Sequence, residues 1–373
     1  MRIGKIILIL VAFFAEVNVA VSQELMVDPN CNTETRNLYR NLTKISAKGV
    51  MFGHYNDITV GIGWKNVDGR SDVKEVTGEY PAVFGWDLGF IENGKENNVE
   101  GISFDKMTEG IKKAYALGAI NTISWHCDNP ISPLEGFRST RKASIEAMFN
   151  DSGSLRLYKL WLDKVASFLL GLKNDKGQLI PIIFRPFHEN NGSWFWWGKG
   201  NVSGDSYIKL WRFTVKYLRD TRNVHNLIYA YSPNGFRSKE DYLEDYPGDS
   251  FVDLLGFDYY VAPSYREGDS FEKRTTSMTR ILSEIAAAKG KPWAFTETGF
   301  RLVPDSNWWT RSLLPVLQNS GACYVMFWTN SGKFSYFCPY PGQGSADDFR
   351  VFYNSPSMIF QKRVLALKVY ENK

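Results

Sequence analysis

The sequence predicts an α/β fold, a (β/α)8 barrel of the TIM-barrel class, in one domain with enlarged βα loops. Three observations predict it. About eight short apolar segments alternate with segments of helical period, the pattern of a parallel sheet covered by helices. No Gly-rich phosphate turn follows an early strand, as a doubly wound open sheet would usually show. Polar and aromatic residues recur at the C-terminal ends of the apolar segments, where a barrel carries its chemistry.

The 373 residues are 44% hydrophobic and 23% charged, a globular composition with enough chain for one large core. That core is the first explanation for an aromatic content of 15%, with 12 Trp. Trp is also favoured where a flat apolar face meets a polar ligand. The net charge of +4 is spread along the chain without a Lys/Arg tract, so no nucleic-acid partner is expected. At the N-terminus, Arg2 and Lys5 flank an apolar run from Ile6 to Ala15, and small residues follow at Ala20 and Ser22. This reads as an export signal over residues 1–23, cleaved near 20–23, with residues 24–373 as the folded domain. The run is too short to span a bilayer, and no Cys directly follows it to carry a lipid anchor. A periplasmic or extracellular location without a membrane anchor is therefore expected. Export permits disulfides, and the four cysteines allow three complete pairings. Cys323 opens an apolar run and reads as a buried thiol, while Cys31, Cys127 and Cys338 stay open.

In chain order, Asn32–Lys48 suits a polar helix and Gly49–His54 an extended segment. Ala82–Phe90 reads as the next strand. Met107, Ile111, Ala114 and Leu117 share a helical face within Phe104–Leu117. Ala119–His126 follows as a strand. A loop containing Asn129, Pro130 and Pro133 leads to a helix from about Ser154 to Lys173. Leu179–Phe184 is a buried strand, and Ser203–Arg219 a helix that Ser203 or Asp205 would cap. Strands follow at Leu227–Tyr231 and Val252–Tyr260, then a helix Phe271–Ala288 stopped by Gly290. Pro292–Gly299, a helix from about Trp308 to Gln318, the strand Ala322–Trp328 and a final helix after Ala346 complete the pattern.

The strand ends collect His54 and Asp57; Trp86 and Asp87; Trp125, His126 and Asp128; Arg185, His188 and Glu189; Asp258, Tyr259 and Tyr260; Glu297; and Trp328 and Asn330. Each has a bland explanation alone: a strand-end His is usually a satisfied hydrogen-bonding group, and a lone Trp is usually core. Their recurrence at one end is what points to a site. Glu189 and Glu297 stand out, because each ends an apolar strand and neither continues into a charged face. Glycosidic bond cleavage needs such a pair, one acid to protonate the leaving oxygen and one carboxylate to attack or to activate water. A buried acid paired with an Arg is the competing explanation for Glu297.

The stretch RPFHENNGSWFWWG, Arg185–Gly198, with ETG at Glu297–Gly299, resembles glycoside hydrolase family 26, the family of many β-mannanases. His188 stands before Glu189, where related clan members usually have Asn. YPGDSFVDLLGFDYY, Tyr246–Tyr260, resembles the family's sixth strand. The resemblance spans residues 24–373 and implies a catalytic domain that retains anomeric configuration. It implies Glu189 as acid/base on strand 4 and Glu297 as nucleophile on strand 7. It implies substrate-binding roles for His126, Arg185, His188, Trp194, Asp258, Tyr260 and Trp328. Within these, Tyr260 approaches the nucleophile, Trp194 stacks on the sugar past the cleavage point, and Trp328 lies under the reacting sugar. Phe195–Trp197 are then divided between loop packing and cleft wall. His54, Trp86 and Asp87 match by position alone.

For the retaining reaction the two carboxyl groups must lie about 5 to 5.5 Å apart. Glu297 must stay ionised, which a cation such as Arg185 and a hydroxyl such as that of Tyr260 would favour. Glu189 must start protonated, which apolar rings and a second negative charge would favour. The expected activity is endo-acting hydrolysis of β-1,4-mannosidic bonds in mannan, galactomannan or glucomannan, by a monomer acting on polysaccharide or oligosaccharide. Alternatives are an exo-acting, mannobiose-releasing enzyme, a β-1,3-xylanase or a mixed-linkage β-glucanase. A carbohydrate-binding barrel without catalysis would not require both carboxylates. The four histidines occupy separate segments, with no His-x-His pair, so neither a metal nor another cofactor is expected.

Overall fold

Eight parallel strands close on themselves: β1 Val50–Tyr55, β2 Val83–Asp87, β3 Ile120–Trp125, β4 Ile182–Pro186, β5 Leu227–Tyr231, β6 Leu254–Tyr260, β7 Trp293–Gly299 and β8 Tyr324–Phe327. Each pairs with the next, and β8 returns to β1, with Met51 opposite Tyr324 and His54 opposite Phe327. This computed structural model describes residues 26–138, 145–261 and 270–372, so the expected export signal lies outside the described residues.

The expected (β/α)8 order is present, with boundary differences that have local causes. Strand β4 starts at Ile182 instead of Leu179, because Leu179 bridges back to Lys173 and the Ile180 N–H bonds Leu172. The helix expected from Trp308 divides into a wide turn, Trp309–Leu313, and a short helix, Leu314–Leu317. Pro315 lies at that join and has no N–H to offer the preceding turn. The expected final helix is two, Ala346–Tyr353 and Gln361–Leu367, separated by Ser355-Pro356 and a two-residue strand, Met358–Ile359. Helix caps follow the sequence. Asn32 accepts the Thr35 N–H at 2.8 Å, and Ser203 rather than Asp205 caps Gly204–Lys216.

Strand alternation sorts the core into two layers. Met51, Val83, Ile120, Ile183, Ile228, Leu254 and Ala294 fill the barrel, and Leu38 and Leu42 of the helix Thr33–Ser46 pack with them. Phe52, Phe84, Ile123, Phe184, Tyr229, Phe257 and Phe295 point the other way and pack beneath the surrounding helices. Trp86, Trp125, Trp196, Trp197, Trp211 and Trp309 are fully buried, so most of the aromatic excess is core. All four cysteines are buried free thiols, so no pairing open to an exported chain is formed.

One irregularity positions the chemistry. Opposite β6, Phe257 pairs with Phe295 but Asp258 pairs with Glu297. Opposite β8, Val325 pairs with Phe295 and Phe327 with Thr298. Both neighbours therefore see one extra residue in β7 between Phe295 and Thr298, which is a β-bulge. Strict alternation from Ala294, inside, and Phe295, outside, would turn Glu297 toward the helices. The bulge turns it to the barrel mouth beside Asp258. The inserted Thr296 donates its hydroxyl to Phe257 O at 2.9 Å and Asp258 Oδ1 at 2.7 Å. Gly256 makes room for it: a Cβ there would lie 2.4 Å from Thr296 Cγ2.

Candidate active site

Above the apolar interior, the same alternation brings Tyr55, Ser124, Arg185, Ser232 and Asp258 inward. Arg185 is fully buried, and its charge is held by partners on four other strand ends. One terminal nitrogen donates to Ser232 Oγ at 3.1 Å and Asp258 Oδ2 at 2.5 Å. The other donates to Tyr55 Oη at 2.9 Å and to Glu297 Oε2. The Tyr55 hydroxyl in turn donates to Ser124 Oγ at 3.2 Å, and Ser124 donates to Asp87 Oδ2 at 2.6 Å. Asp87 in turn faces His126 Nδ1 at 2.8 Å. A single hydrogen-bonded chain thus crosses the barrel from the His126 imidazole to Glu297.

Glu297 uses both oxygens. Oε2 meets Arg185, and Oε1 accepts the Tyr260 hydroxyl at 2.9 Å. Glu189 lies on a tight turn after β4 in which Phe187 and Glu189 both have positive φ, 50° and 55°. Such conformations cost non-glycine residues roughly 1–2 kcal/mol each and are kept where the surroundings enforce them. Here the Glu189 N–H is tied to Ser232 O at 2.8 Å. Its Oε1 accepts from Asn234 Nδ2 at 2.9 Å and its Oε2 from Trp194 Nε1 at 2.6 Å. Burial, then the charge of Glu297, push the Glu189 carboxyl up to about 7, against those two donors.

One carboxylate oxygen from each of Glu189, Asp258 and Glu297 lies within 4.8 Å of the other two. Among the described residues this is the acidic group compact enough to share a cation, and the cation already bonded to two of its members is the Arg185 guanidinium. Burial also drives Asp258 upward, opposed by Arg185 and reinforced by Glu297. Three acids around one guanidinium cannot all ionise at low cost in so dry a site.

Glu297 opens into a cavity of about 270 Å³ lined by Val99, Glu100, His126, Phe137, Arg138, His188, Phe195, Tyr260 and Trp328. The His126 and His188 rings meet edge to face at 4.6 Å. Their environments differ. Burial, then Arg185 and His126, hold His188 well below the ordinary imidazole range, so it is neutral. Burial would lower His126 as well, but the Asp87 carboxylate outweighs it and raises the imidazole. Glu100 is pushed up to about 7 by burial and by the charges of Asp87 and Glu297.

The residues expected from sequence divide accordingly. Glu297, His126, His188, Tyr260 and Trp328 face the cavity. Trp194 is 38% exposed and capped onto Glu189. A Cβ at Gly192 would lie 2.3 Å from its ring, so that glycine lets the indole fold back. Phe195 lines the cavity while Trp196 and Trp197 are buried, the expected division. Arg185 and Asp258 are completely buried and reach the site through hydrogen bonds, Arg185 to both Asp258 and Glu297. Of the positional matches, Asp87 supports His126, whereas His54 is buried against Asp57 at 2.7 Å and Trp86 is buried against Asn121. Tyr55, Glu100, Arg138 and Asn234 lie outside the set expected from sequence. Asn234 follows the end of β5, a position the strand pattern marks; Glu100 and Arg138 sit on long loops that carry no periodic signal.

A model of glycosyl hydrolase family 26 matches residues 27–297. A mannan endo-1,4-beta-mannosidase of Bifidobacterium adolescentis is 36% identical over 351 residues, covering 88% of this chain and 34% of that protein. The chain thus spans about a third of the length of that relative. A mannan endo-1,4-beta-mannosidase of Bacillus subtilis is 30% identical over 290 residues, 73% of either chain. Among solved structures, a family 26 beta-mannanase from Bacteroides ovatus superposes with a TM-score of 0.87 at 40% identity, over 92% of this chain and 98% of the other. A modular endo-beta-1,4-mannanase from Cellulomonas fimi gives 0.81 at 36% identity, over 91% and 78%. Motif, barrel and comparisons agree: the chain belongs to glycosyl hydrolase family 26.

Proposed function

We propose that this chain is an endo-acting β-1,4-mannanase that retains anomeric configuration, with Glu297 as nucleophile and Glu189 as acid/base. The observation that carries the reading is the pair itself: oxygens of Glu189 and Glu297 within 4.8 Å of each other, in unlike surroundings. An inverting pair needs room for water, about 6.5–9.5 Å. Arg185 and Tyr260 supply hydrogen-bond donors to Glu297, while burial favours the proton on Glu189.

In the first step a Glu297 oxygen bonds the anomeric carbon as the glycosidic C–O bond breaks, and the Glu189 proton goes to the leaving oxygen. The charge on Glu297 is then consumed, so Glu189, now a carboxylate, loses the repulsion that had raised it. It takes a proton from the incoming water, whose oxygen displaces Glu297 from carbon. Trp194 and Trp328 offer flat apolar faces for sugar C–H surfaces, and His126 and His188 supply polar edges. The mannan preference rests on the names of the relatives. The charged, apolar N-terminal run supports export, which a polymeric substrate requires.

The test is the product profile on mannohexaose with xylan and lichenan as controls, with NMR detection of the first-formed anomer. Mixed internal products of β configuration are expected. Mannobiose alone from the first minute would overturn endo action, and α product would overturn retention.

A further inference from the structure

Glu189 accepts hydrogen bonds at both oxygens, and the two donors are unlike. Trp194 is a half-exposed indole on a surface loop. Asn234 is fixed on every side. Its backbone N–H donates to Asn191 Oδ1 at 2.7 Å, and Asn191 Nδ2 returns bonds to Asn234 O at 2.9 Å and Gly235 O at 3.3 Å. Its own Oδ1 accepts the Gly235 N–H at 2.8 Å, which leaves Nδ2 as the group turned to Glu189. The clamp therefore presents a donor, and only a donor, to Oε1.

We propose that Asn234, locked by Asn191, is a positioning residue that fixes the Glu189 carboxyl through Oε1 and stabilises its ionised form. An N–H held at Oε1 bonds the carboxylate more strongly than the neutral acid, so it fixes the group's orientation and lowers its affinity for a proton. In the second step the same fixed donor stabilises the carboxylate that takes the proton from water. Other groups also act on Glu189: Glu297 on β7, Arg185 on β4, and Asp258 and Tyr260 on β6. None of them supplies a donor to Oε1. This inference rests on Glu189 being the acid/base.

The experiment is the pH profile of kcat/KM on a manno-oligosaccharide for the wild type and for Asn234→Ala, Asn234→Asp and Asn191→Ala, with Glu189→Ala alongside. Losing a donor to the ionised form makes Glu189 a weaker acid, so the alkaline limb should move up by about one pH unit in Asn234→Ala. Asn234→Asp has the same shape but sets a second carboxylate against Oε1, and should move the limb further up. Asn191→Ala should move it the same way by less. A substrate with a good leaving group, which needs no proton, should lose less than about threefold in the Asn234 variants. If Asn234→Asp folds and its alkaline limb stays in place, or if activity falls equally at all pH values, the positioning role is wrong. If Glu189→Ala keeps its activity on the oligosaccharide, the acid/base assignment itself has failed, a different result.

Discussion

Arg185 donates a guanidinium N–H to Glu297 across the barrel mouth, joining the ends of β4 and β7 from positions 112 residues apart. Both groups are buried, and the same guanidinium also holds Asp258. The fold and the chemistry are thus tied at one point.

Removing that point should be costly. Arg185→Ala leaves Asp258 and Glu297 side by side without a cation, and loss of one partner of a buried pair costs about 3–5 kcal/mol. Urea unfolding at pH 7 should show that loss, and acidification, which neutralises the two acids, should recover part of it. An unchanged midpoint at pH 7 would contradict the ion-pair account.

Glu297→Ala should lower kcat/KM by roughly four orders of magnitude or more, with the fold and oligosaccharide affinity retained. Near wild-type turnover on mannan would remove Glu297 from the mechanism.

Glu189 affects stability as well as rate. Its carboxyl moves from an ordinary 4.5 to about 7 on folding. The native state thus holds a proton that the unfolded chain releases, and this favours folding fully below 4.5 and is lost as pH rises toward 7. At 1.36 kcal/mol per pH unit the difference is on the order of 3 kcal/mol, part of it shared with Glu297. The stability of Glu189→Gln relative to wild type should therefore improve by about 1–3 kcal/mol between pH 4 and pH 8. A pH-independent difference would mean that Glu189 is not desolvated as described.

Gly256→Ala tests the bulge. The added methyl meets Thr296 Cγ2 at 2.4 Å and presses on the residue that turns Glu297 inward. A loss of about 1–3 kcal/mol is expected from overpacking, with a larger fall in kcat than in affinity because Glu297 is displaced. Full activity with a stability loss would show that Glu297 does not depend on the bulge.

Trp194→Ala should cost under about 1 kcal/mol in stability, since the ring is partly exposed. It should raise KM for longer substrates several-fold while short substrates change little. Equal effects on all chain lengths would place the ring outside the binding cleft.

By itself the sequence determined the alternation of strands and helices, hence the barrel, because apolar period and turn chemistry are local. It also singled out Glu189 and Glu297, which sit in distinctive strand-end contexts. What tertiary structure alone decided was direction and depth. Arg185 and Asp258 stand at strand ends in the sequence, and the closed barrel carries them inward to a buried polar layer, because their positions share parity with Ile183 and Leu254. Glu297 has the opposite parity from Ala294 and reaches the mouth only through the extra residue in β7. Such a bulge depends on pairing with two neighbouring strands, and nothing in a single strand's own residues specifies it. Asn234 meets Glu189 for the same kind of reason: forty-five residues separate them, and only the adjacency of β4 and β5 brings the amide to the acid.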